Sequence, residues 1–466
     1  MDAACRFAGY PRGEALSEFF TADEFPKTTY REISMNQRMP SKLATVVLLA
    51  LFLFSISLNL EPRVAAEDPV PSNPEARWWK GNLHTHSLWS DGDDFPEMIA
   101  EWYRTHGYNF LALSDHNTLS QGERWMKVTD IAKRGGEDAL SKYQQRFGGP
   151  WVQTRGEGAS AQVRLKPLDE FRYLVEGRGD FIMIPAEEVS DRAEKKPVHM
   201  NATNVLEVIQ PVGGATVREA MANNLRVVRE QEAKLGRKIM MHLNHPNFGW
   251  AVTAEDLAAV TDERFYEVYN GHPGVNHLGD SQRPSIERIW DLANTLRCLT
   301  DSQLLLGIAT DDSHDYHEEV GAKGSHTGRG WVMVRSSYLT PEHLIDSLRS
   351  GDFYASSGVE LASVDFDDSK RQLSVAVRPV EGETYQIAFI GSRKSKALEE
   401  PGTLNDIGPD AIGVVLQETT GVQADYTLQG DELFVRAVVT SSAPPEDPSF
   451  ESQKKQAWTQ PVQPTR

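Results

Sequence analysis

Apolar runs that end in histidine or a carboxylate recur along this chain and constrain it more than any other feature. Leu111-Ala112-Leu113 leads into Ser114-Asp115-His116-Asn117, and Phe181-Ile182-Met183-Ile184 leads into Glu187-Glu188. Val198-His199-Met200 follows shortly. Ile239-Met240-Met241 stops at His242 and His245-Pro246, and Leu304-Leu305-Leu306-Gly307-Ile308-Ala309 ends in Asp311-Asp312-Ser313-His314. Upstream, Trp78-Trp79 precedes His84-Thr85-His86-Ser87, with Ser90-Asp91-Gly92 close behind. Short continuous apolar runs suit strands buried on both faces. Strands alternating with helices gather such polar ends at one edge of the sheet, where α/β active sites form. Alternate side chains of a strand share a face, so His84 and His86 can reach one ion. Taken alone, His-x-His also describes a surface strand with two exposed rings; the companions that arrive in order favour a metal site.

This ordered set, over residues 78–358, resembles the polymerase and histidinol phosphatase (PHP) superfamily of metal-dependent phosphoesterases. The resemblance implies an α/β fold, a distorted seven-stranded β/α barrel with up to three metals at its mouth. Carried over by position, it implies that His84, His86, Glu188 and Asp312 hold one metal. Glu188, as a bridge, would hold a second with His199 and His245, and Asp91, His116 and His314 would hold a third. Many members have histidine where Asp91 stands, so this third set is richer in oxygen.

The chemistry of those residue types agrees. Imidazoles suit Zn, Mn or Fe, and carboxylates bridge divalent ions, so divalent transition metal ions are expected as cofactors, and the resemblance implies two to three of them. Two such ions about 3.5–4 Å apart hold a bridging hydroxide near neutral pH, a nucleophile that needs no Ser or Cys. No catalytic side chain beyond that hydroxide is expected, with support from Asp115, Arg329 and His272. Asp115 and Glu187, beside ligand positions, are expected to orient imidazoles. Lys323, His326 and Arg329, in the loop after His314, are candidates to grip an anionic substrate; a solvated loop explains them equally well. The expected activity is a phosphoesterase, with hydrolysis of another bond or a metal-stabilised binding module as alternatives.

The partner expected is a small anionic phosphate ester. A net charge of −19 over 466 residues argues against nucleic acid polymers, which need basic surface, and no obligate protein partner is evident. Cys5 and Cys298 are the only cysteines, which excludes a disulfide framework and a thiolate metal site.

Five regions are expected. Residues 1–66 form an N-terminal extension with a signal peptide: Arg38 and Lys42 precede an apolar run over 43–58, and Ala65-Ala66 offers a small-residue exit. The protein is therefore expected to be exported, the alternative being a membrane anchor at 43–60. Residues 67–77 are a Pro-rich linker and 78–358 the metal-bearing region, with helices at 96–107, 217–235 and 285–298. The 118–180 segment is long for one connection and reads as an insertion over the active-site mouth. Residues 359–442 read as a small β-sandwich-like domain of alternating strands without a His or acid cluster, and 443–466 as a polar tail.

Overall fold

The structure, a computed structural model, describes residues 74–318, 323–394 and 411–463. All belong to one compact unit spanning residues 72–466. The segment expected to direct export or anchor the chain, residues 43–60, lies outside the described residues. Among those described, no helix is long and apolar enough to cross a membrane.

β1 (Arg77–Asn82) and β2 (Phe110–Leu113) run parallel, joined through the helix Pro96–Thr105. That helix starts at Pro96, where the missing N–H costs nothing, and buries Ile99, Ala100 and Tyr103 against the sheet. The expected insertion builds β3 (Arg124–Lys127), β4 (Thr154–Arg155) and β5 (Gln162–Leu165) into their own three-stranded sheet, with helices Val128–Gly135 and Ala139–Phe147 between. Its small core of Ile131, Tyr143, Val163 and Leu165 closes over Leu88, Trp89 and Phe95, which flank Asp91.

The chain then returns to the main sheet. β6 (Ile182–Ala193) and β7 (Lys196–Thr203) form a long hairpin, followed by β8 (Met240–Leu243), β9 (Phe265–Asn270) and β10 (Leu306–Thr310). The helix Val217–Leu235 matches its expected span, capped by the Thr216 hydroxyl and by Gly236 in the left-handed conformation. The helix Ile286–Leu299 is capped by Ser285. Inward side chains of the strands, including Phe110, Ile184, Met240, Ile308 and Val332, pack one apolar core.

Among the described residues the strand pairing gives a large mixed sheet and does not show the expected closed seven-stranded barrel. β11 (Trp331–Ser336) and β12 (Phe353–Ser356) add antiparallel beside β1, and the hydrogen-bonded ladder continues outward from there. Between the ends of β1 and β10 there is only one parallel bridge, Thr85 to Ser313, at the polar edge.

The C-terminal strands also depart from expectation. β13 (Leu361–Asp367), β14 (Gln372–Val377) and β17 (Gln423–Thr427) form one three-stranded sheet. Facing it, β15 (Tyr385–Arg393), β16 (Val414–Thr420) and β18 (Glu432–Ser441) continue the main sheet, to which β19 (Gln456–Thr459) joins them. The arrangement is sandwich-like, yet one of its layers is continuous with the sheet of the 78–358 region. β19 comes from the expected polar tail and pairs with both β12 and β18. The reason is visible in Ala457 and Trp458, both buried within a short alternating stretch.

Candidate metal centre

Every expected metal ligand converges at the C-terminal edge of the parallel strands. Just past β1, the backbone is laced to its neighbours: Asp312 N–H donates to the His84 carbonyl, His86 N–H to Ser313, and Ser114 N–H to Thr85. His84 and His86 thereby point together, their Nε2 atoms 3.1 Å apart. Asp312 Oδ1 lies 3.1 Å from the first and 3.2 Å from the second. Asp312 itself holds a positive φ of 49°, an uncommon conformation for a non-glycine residue and one often found at functional sites.

Glu188 occupies the middle. His116 Nδ1 is 2.6 Å and His86 Nε2 3.5 Å from its Oε2; His199 Nδ1 is 3.0 Å and His84 and His245 Nε2 are both 3.7 Å from its Oε1. Asn244 donates to Oε1 at 2.8 Å. Oε2, although buried among nitrogens, accepts no aligned hydrogen bond. At the rim, Asp91 lies 3.4 Å from His116 and 3.6 Å from both His86 and His314. Asp91 is half-exposed, and Gly92 beside it is required because a Cβ there would lie 2.7 Å from the His86 backbone.

Four donor groups emerge among the described residues: His84, His86 and Glu188; His116, Glu188 and His199; His86, Asp91, His116 and His314; and, behind them, His84, His242 and Glu267. The partition differs from that implied by resemblance. His116 belongs to both the Glu188 and the Asp91 sets, while His245 stands between Glu188 and Asp312.

Electrostatics indicate what this cluster needs. Burial disfavours charge on Glu188 and Asp312, yet the surrounding histidines prevail and hold both carboxyls well below their ordinary range. In turn, Asp312, Glu267 and Glu188 overcome burial to keep His84 protonated well above neutrality, and Glu188 and Asp91 hold His116 at about 11. Burial together with His314 pushes His86 down to about 3, leaving it neutral. The buried carboxylates thus demand positive charge, supplied here only by imidazole protons. Divalent ions would supply it while freeing ring nitrogens to coordinate, so the donor set fits metal.

One residue escaped the sequence reading. Glu267, in β9, accepts from His84 Nδ1, Thr310 Oγ1, Asn270 Nδ2 and the His245 backbone N–H, each at 2.7 Å. It fixes the His84 ring so that Nε2 faces the cluster. The available signal was an acid inside a fully buried strand. His242 Nε2 lies 3.6 Å from the same carboxylate.

Other expectations require correction. Asp115 touches no imidazole; it accepts from Ser87 N–H, Ser87 Oγ and Ser90 Oγ and pins the loop that carries Asp91. Glu187 alternates to the opposite face of β6, accepts from Ile209 N–H, and burial pushes it up to about 8. Arg329 is buried and its guanidinium is occupied by Asp447 and the carbonyls of Gly271 and Gly324, in place of the expected anionic substrate. His326 is held by the same Asp447, at 2.7 Å. Both instead clamp the C-terminal segment to the sheet edge. Lys323 is exposed on that loop. His272 does reach the rim, its ring 5.7 Å from that of His314. From the insertion, Arg134 donates to the Ser90 carbonyl beside Asp91, and Arg124 lies over Trp89 within the field of Asp115.

No protein-family model and no curated protein matches the sequence. Solved structures similar to it include a two-domain protein from Bacteroides vulgatus containing a predicted PHP-like metal-dependent phosphoesterase. It is 15% identical, with 84% of this chain and 97% of that one covered and a TM-score of 0.38. PsfC from Pseudomonas syringae is 12% identical, with 55% and 82% covered and a TM-score of 0.29. A candidate metal-dependent phosphoesterase from Bifidobacterium adolescentis is 14% identical, with 59% and 96% covered and a TM-score of 0.28. These likenesses are distant, and the chemistry proposed below is read from the side chains.

Proposed function

We propose that this protein is a metal-dependent hydrolase that cleaves phosphate esters of small molecules. The observation that carries the reading is the Glu188 carboxylate, buried and ringed by His84, His86, His116, His199 and His245 at the polar edge of a mixed sheet. His84, His86, Asp312 and Glu188 would hold one ion, Glu188 with His116, His199 and His245 a second, and Asp91, His116 and His314 a third at the rim. Bound divalent ions supply Lewis acidity, acidify water and neutralise charge on phosphoryl oxygens. The chain contributes orientation: Glu267 fixes His84, and Asp115 holds the Asp91 loop. His272, at the rim, would contact an anionic substrate, and Arg124, over Trp89, is a second candidate to do so. The overall charge of −19 supports a small substrate over a nucleic acid polymer, and the apolar 43–58 run supports export.

The test is metal content by mass spectrometry after metal-supplemented expression, joined to a screen of phosphomonoesters and phosphodiesters. We expect two to three equivalents of Zn, Mn or Fe per chain, and turnover that chelation abolishes. Glu188→Gln should lose metal together with rate, because a neutral amide cannot hold two cations close. Folded wild-type protein without metal, or a Glu188→Gln protein with full metal and turnover, would overturn the reading.

A further inference from the structure

A crevice of about 790 Å3 lies between the helix Pro96–Thr105, Lys80 of β1, the start of β11 and residues 445–447. None of the proposed metal ligands lines it. The Lys80 ammonium enters from β1, 4.0 Å from the Tyr108 ring centroid and 3.9 Å from that of Trp331. Among the described residues, no carboxylate lies within ion-pair distance of this ammonium and no hydrogen bond satisfies its N–H donors. The carboxylates whose field it feels most, Asp311 and Glu360, act from beyond that distance. On the same lining, the Tyr108 hydroxyl and the Trp331 indole N–H are buried without hydrogen-bond partners. Buried donors are normally paired; here two of them lie beside a part-buried ammonium without an acceptor, a grouping complementary to an anion. Met98, Ile99 and Trp102 supply an apolar and aromatic wall.

We propose that this crevice binds a small planar organic anion, a carboxylate on an aromatic body, with Lys80 as its ion-pair partner. The aromatic wall favours a flat ligand over inorganic phosphate. Acidic residues elsewhere on the lining, among them Asp94, Asp315 and Glu446, disfavour more than one negative charge. Burial pushes the Lys80 amine down to about 8, so an arriving anion would also stabilise its protonated form.

Benzoate is a suitable probe, titrated into the metal-loaded full chain and followed by saturation-transfer NMR, with benzylamine and inorganic phosphate as controls. Because a carboxylate can also ligate metal, Asp312→Asn serves to weaken the cluster. We expect benzoate to bind wild type and Asp312→Asn alike, about tenfold more weakly to Lys80→Met, and to recover with Lys80→Arg. Tyr108→Phe, which keeps the ring and removes one donor, should weaken binding by about threefold and serves if Lys80→Met does not fold. Absence of saturable binding to wild type, undiminished binding to Lys80→Met, equal binding of benzylamine, or loss of binding in Asp312→Asn alone would each overturn the proposal.

Discussion

Glu187 and Glu188 adjoin in sequence and occupy opposite environments, because a strand turns successive side chains to opposite faces. Glu188 meets five imidazoles, whereas Glu187 meets one backbone N–H and is held up at about 8 by burial. The same separation of roles makes Glu267 testable. Groups that orient a ligand from behind typically account for about 10–100-fold in metal affinity. Glu267→Gln should therefore weaken metal binding on that scale, measured by chelator competition, while Glu187→Gln leaves it unchanged; equal effects would remove the positioning role. Arg124 allows a second test. If it contacts the anionic substrate, Arg124→Met should raise KM by about tenfold with kcat little altered, as expected when an interaction equally strong in ground and transition states is lost. A fall in kcat alone would assign Arg124 to the chemistry instead.

At the scale of elements, the helix Pro96–Thr105 is where the insertion docks. Glu97 lies buried there and accepts from the Tyr143 hydroxyl at 2.6 Å and the Trp151 indole at 3.1 Å. Burial raises its carboxyl from 4.5 to about 7. Between those values the folded chain keeps a proton that the unfolded chain has released, so stability falls as pH rises through this window and the loss is complete above it. Glu97→Gln, which keeps the acceptor oxygen, should gain on the order of 1–3 kcal/mol over wild type between about pH 5 and about pH 8, by denaturant unfolding. A pH-independent difference would show that Glu97 ionises freely. Sequence legibility divides along the same lines. The buried strands and their polar ends could be read because each apolar run and its terminal ligand are local. The helix Val217–Leu235 could be read because its periodicity and caps are local too. Glu267 was obscured because its role depends on β8 and β10 lying alongside β9. The fate of Arg329 depends on Asp447, 118 positions later, and no local pattern announces such a pairing.

Across the whole molecule, the 78–358 region and the C-terminal strands are fastened by buried charge. Arg436 on β18 forks onto Asp291 of the helix Ile286–Leu299, with Nε at 2.8 Å and Nη2 at 2.9 Å from the two carboxylate oxygens. Removing one partner strands the other. Asp291→Ala should therefore cost about 3–5 kcal/mol in stability, whereas the double change Asp291→Leu with Arg436→Met should recover much of it. Equal losses from the single and double variants in thermal unfolding would show that shape, not charge, fastens the regions. β19 joins the same halves through hydrogen bonds, and its partners in β12 lie about a hundred positions earlier, Tyr354 opposite Thr459 and Ala355 opposite Trp458. During synthesis, β12 must wait for that strand to leave the ribosome, its backbone groups on that side still without their native partners. A seam laid so late leaves one side of β12 as an open strand edge until residues 456–459 have been made, and an open edge is a template for wrong pairing.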